Sequence, residues 1–66
     1  MAPHKLAFLA AVHANRYNKG PDSTVDFWYD ELVEHFSHKM PDFVTIEDRK
    51  NWLSDQLDEV AGFVKP

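Results

Sequence analysis

Apolar residues recur along this chain at helical rather than strand spacing. Between His4 and Tyr17, Leu6, Leu9, Val12 and Tyr17 fall on one side of a 3.6-residue wheel. Ala7, Ala11 and Ala14 form a smooth strip on another side, where a second helix could approach closely. Pro3 is tolerated in a first helical turn and opens this segment. Asn18-Lys19-Gly20-Pro21 closes it, because glycine accepts the left-handed cap and proline cannot continue the helix.

A second start follows at Ser23-Thr24-Val25-Asp26, which has the form of a capping box with Asp in the place of Glu or Gln. Val25, Trp28, Tyr29, Leu32, Val33, Phe36 and Met40 then make a broad apolar face, and Pro41 enforces a stop. Thr45-Ile46-Glu47-Asp48 repeats the capping pattern, with Ile46, Leu53, Leu57, Val60 and Val64 along one stripe. Val44 precedes that cap, where it could staple onto the first turn, and Gly62 should loosen the last one. The pattern predicts an all-α fold, a compact three-helix bundle over residues 1–66. Its helices span about 4–17, 24–39 and 46–62. Alternating strand patterns, linkers and internal repeats are missing.

Composition narrows what such a bundle does. At 66 residues without cysteine, neither disulfides nor thiolate zinc can support the fold, so packing must. The 44% hydrophobic and 14% aromatic content is rich enough for that, and a second chain could supply part of the core, which makes a homodimer one reading. No apolar run approaches the roughly 20 residues of a membrane span, and no secretory signal is evident, so a cytoplasmic protein without membrane contact is expected. Charge is segregated. Residues 1–20 carry Lys5, Arg16 and Lys19 and no carboxylate, while all eleven Asp and Glu lie between Asp22 and Glu59. Direct nucleic-acid binding is therefore not expected, and a helix-turn-helix would bring mostly carboxylates to phosphate. The basic first helix can instead complement the acidic ones within the fold.

Candidate chemistry is sparse. Glu31–His35 and Glu34–His38 are each four apart and can pair on a helix surface. His35 and His38 lack a complete ligand motif, so no metal site is expected. His13, between Leu9 and Tyr17, reads as a packed histidine with one satisfied hydrogen bond, and in principle as a pH switch. Ser23 and Ser54 have no histidine nearby in sequence, and two glycines cannot build a phosphate loop. No catalytic residue and no cofactor are assigned, and enzymatic activity is not expected.

Asp22-Ser23 at a helix start, Phe36, Met40-Pro41-Asp42, Thr45-Ile46-Glu47-Asp48 and Trp52-Leu53 together look somewhat like an acyl carrier protein. The resemblance covers about half the chain. It implies a carrier domain with phosphopantetheine on Ser23, although Thr24 stands where the motif has leucine.

The leading expectation is a protein–protein interaction module: an adaptor, small subunit or inhibitor of a larger protein. Phe27 lies nearly opposite Val25 and Phe36 on the wheel, beside Glu31 and Glu34, and is either a partner contact or covered by the Phe43 loop or the N-terminus. Trp52 and Phe63 pose the same choice on the last helix. Asp48, Asp55, Asp58 and Glu59 are expected to face away from its core stripe as an acidic, solvated surface. A further alternative is that these acids imitate a phosphate backbone and block a nucleic-acid-binding protein.

Overall fold

A computed structural model describes residues 2–17 and 24–62, with no strand among them. Among the described residues four helices follow one another: α1 (Pro3–Tyr17), α2 (Thr24–Phe27), α3 (Tyr29–Phe36) and α4 (Ile46–Val60). α1 opens where the proline placed it, and the Leu6 amide closes the first turn onto the Ala2 carbonyl at 3.1 Å. The radius of gyration is 11.3 Å. A compact chain of this length adopts about 11 Å.

The expected single second helix is interrupted at Trp28, whose φ of −105° and ψ of 21° leave the helical region. Hydrogen bonds reach Trp28 from both sides, from its amide to Thr24 and from the Leu32 amide to its carbonyl. Trp28 is thus the hinge residue at which the run changes direction. Three consecutive aromatics, Phe27-Trp28-Tyr29, sit at this point. The change of direction lets Trp28 meet Lys5 of α1 while Tyr29 meets Arg49 and Lys50 of α4.

α3 also stops at Phe36, short of the expected Lys39. The Ser37 hydroxyl donates to the Glu34 carbonyl at 2.9 Å, and His38 Nδ1 lies 3.1 Å from the His35 carbonyl. Side chains thus compete with the backbone for the last carbonyls. At α4 the expected cap is present: Thr45 is extended, and its hydroxyl accepts from the Asp48 amide at 3.1 Å. The Val44 staple is not, since that side chain is 99% exposed.

Leu9, Ala10, Val25, Leu32, Phe36, Leu53 and Leu57 make the core. α1 packs most extensively on α4. The close approach uses Ala10, whereas Ala7 and Ala11 are exposed and Ala14 is half-buried. The α4 stripe is rotated from the expected one. Ile46 and Val60 are exposed, and Gln56 and Asp58 are buried beside Leu53 and Leu57. Val64 and the Tyr17 side chain lie outside the described residues.

Candidate protein-binding face

Phe27 closes α2 at 79% exposure, so neither the Phe43 loop nor the N-terminal segment covers it. Its ring meets the Trp28 ring edge-on, with centroids 5.3 Å apart. On one side of Phe27 is a groove of about 270 Å³ lined by Val12, Arg16, Thr24, Phe27 and Trp28. On the other is a groove of about 440 Å³ lined by Asp26 to Glu31. Phe27 is thus a ridge between a basic-edged and an acidic-edged depression.

α1 and the α2–α3 run cross this face in opposite directions. Arg16 and Val12, late in α1, meet Thr24 and Phe27, while Lys5, early in α1, reaches Trp28 and Glu31. Phe8 shares the α1 stripe of Lys5 and Val12 by three- and four-residue spacing and is 65% exposed. Sequence reasoning missed Phe8, Val12 and Arg16 as members of one face. The available signal was the Phe8–Val12 spacing, which runs off the side marked by Leu6 and Leu9.

Two cations are paired within the chain, one of them from the basic first helix. Lys5 Nζ lies 3.0 Å from Glu31 and 4.6 Å from the centre of the Trp28 ring, tying α1 to α3. Lys50 Nζ is 2.6 Å from Asp26, tying α4 to α2. The Asp26 hydrogen bond, helped by the charges of Asp26, Tyr29 and Glu47, holds the Lys50 ammonium above its ordinary pKa against a smaller opposing effect of burial. Arg16, Asp30 and Glu34 have no such partner among the described residues.

The remaining sequence candidates divide. Glu31 is spent on Lys5 rather than on His35, whose ring instead meets Phe36 edge-on at 4.8 Å. Glu34, Asp55 and Glu59 are exposed. Trp52 is half-buried between Phe36 and Phe43, with ring centroids 5.9 and 6.2 Å away, and so extends the core. Phe63 and Ser23, the second anchor and the carrier attachment point, lie outside the described residues. Among the described residues no group of three or more His, Asp or Glu is placed to hold a metal ion.

Asp58 corrects the expected acidic surface. It is 5% exposed, and its carboxylate lies 3.2 Å from Nε2 of His13, itself 2% exposed. Ser54 Oγ reaches the same nitrogen at 3.0 Å. Ser54 and Asp58 are one helical turn apart and adjoin the Leu53–Leu57 stripe, so rotation of α4 toward α1 carries both inward. His13 packs as its spacing indicated, with two oxygens rather than one at Nε2. The Ser54 hydroxyl and the Asp58 carboxylate thus both lie at Nε2, tying α1 to α4.

No family model, curated protein or solved structure matches this chain. No helix among the described residues is long and apolar enough to cross a membrane.

Proposed function

We propose that this chain is a non-catalytic interaction module that binds protein through the face centred on Phe27. The observation that carries the reading is the 79% exposure of Phe27, a large aromatic ring standing between two grooves. Aromatic side chains seated in pockets supply much of the affinity of protein interfaces, and exposed ones on a small domain are the corresponding anchors. Phe8 at 65% exposure extends the apolar area along α1, and Asp30 and Glu34 offer orienting charge at its edge. The grooves are open depressions rather than enclosed cavities of the kind that bury a small ligand.

The test is chemical cross-linking in lysate of the native host, comparing tagged parent with a Phe27→Ala variant and identifying captured chains by mass spectrometry. A stoichiometric protein captured by the parent and lost with the variant is expected, with unchanged helicity by circular dichroism. Identical capture by both would overturn the assignment of the face.

A further inference from the structure

Resting on that reading, we infer that the Phe27 face takes a second copy of this same chain, related by a two-fold axis that passes close to Phe27. A two-fold interface must be self-complementary, each feature meeting its counterpart on the same patch of the other subunit. This face meets that condition in shape and in charge. Phe27 is a knob with a groove on either side, so a rotated copy can seat its own ring in one groove while receiving the other's.

The charges follow the same symmetry. Because α1 and the α2–α3 run are opposed, Arg16 lies toward the Thr24 end of the face. Asp30 lines the other groove with Phe27, and Glu34 is exposed one turn further along α3. Rotation by half a turn about Phe27 brings Arg16 of each copy to the Asp30–Glu34 end of the other, forming two equivalent ion pairs. Among the described residues Arg16, Asp30 and Glu34 have no ion pair within the chain, whereas Lys5, Glu31, Lys50 and Asp26 are already paired.

Size is adequate as well. A stable interface covers about 800 Å² per partner, near one sixth of the 4657 Å² this chain exposes. One side of a body measuring 29 × 24 × 24 Å is of that order. A domain this small leaves about 40% of its unfolded-chain surface uncovered, so self-association adds burial that its own core cannot supply.

Sedimentation equilibrium of the full chain, loaded from roughly 1 μM to 1 mM to bracket weak and moderate dimers, reads the proposal directly. The parent should move with concentration toward twice the 7.7 kDa chain mass. Phe27→Ala should weaken the dimer about thirtyfold or more. Arg16→Glu alone sets Glu against Asp30 and Glu34 of its twin, and Asp30→Arg alone sets Arg against Arg16. Each should weaken self-association about tenfold. An equimolar mixture of those two single variants restores both ion pairs, so it should form a heterodimer at parental strength. All three positions are exposed, and circular dichroism checks that each variant keeps its helices.

A parent monomeric over the whole range overturns the proposal, as does a dimer indifferent to Phe27 or a mixture that fails to associate. If the parent stays monomeric yet captures another protein through Phe27, the second copy is wrong while the interaction face stands.

Discussion

An imidazole at 2% exposure between a serine hydroxyl and a carboxylate makes part of this small core polar. Burial of such groups is tolerated only while they remain hydrogen-bonded, and removing one partner exposes the full desolvation cost of the other. Asp58→Ala should therefore destabilise the domain by about 1–3 kcal/mol. Glu59→Ala, one residue on but exposed, should stay within about 0.5 kcal/mol of the parent. Asp58→Asn, which keeps a carbonyl acceptor, should fall between them. Urea denaturation of the three variants measures this order, and equal effects at 58 and 59 would show Asp58 to be a surface acid after all. Neither the Asp58 position nor the His13 contact was legible locally, because the residues that meet are 45 positions apart and the pairing exists only once α4 lies on α1.

Helix ends, by contrast, are written in short stretches of sequence. Pro3 and the Thr45–Asp48 cap act within one turn of themselves, and both appear where their chemistry places them. Gly62 is a case where the element's geometry reverses an expectation. A glycine inside a helix weakens it, so replacement by alanine would stabilise. Here Gly62 has a φ of +74° just past the end of α4, its amide returning to Glu59 at 3.1 Å. That is the left-handed closing position, where a Cβ is penalised by backbone sterics even though no other atom lies within 4 Å of it. Gly62→Ala should accordingly cost about 1 kcal/mol, and Gly62→Asn less, since Asn enters this region more readily. Thermal denaturation followed at 222 nm, the wavelength of helical circular dichroism, gives the sign. The break at Trp28 was hidden for a different reason: the local pattern Val25 to Phe36 is that of one continuous apolar face. Only packing against α1 and α4 divides its aromatics.

For the whole molecule, two exposed ion pairs add to the apolar packing between helices. Lys5–Glu31 links α1 to α3, and Lys50–Asp26 links α4 to α2. Because the folded state raises the Lys50 pKa above 10.5, its contribution is fully present below that pH and is lost as pH climbs through the folded value. The urea midpoint of the parent should therefore fall on the alkaline side of pH 10.5 by more than that of Lys50→Met, in which this tie is absent throughout. Parallel alkaline profiles for the two proteins would remove Lys50–Asp26 as a source of stability. The segregation of charge between the first twenty residues and the rest was visible in the chain, as was an aromatic at position 27 on a polar side. Helicity, the Thr45 cap and the membership of Leu9, Leu32, Leu53 and Leu57 in the core follow from local propensity and 3.6-residue periodicity, which act within a few turns. The rotation of α4, the burial of Asp58, the change of direction at Trp28 and the gathering of Phe8, Val12, Arg16 and Phe27 on one face were decided by tertiary structure. A wheel orders residues around an axis, but only the neighbouring helices determine which part of that circle faces inward.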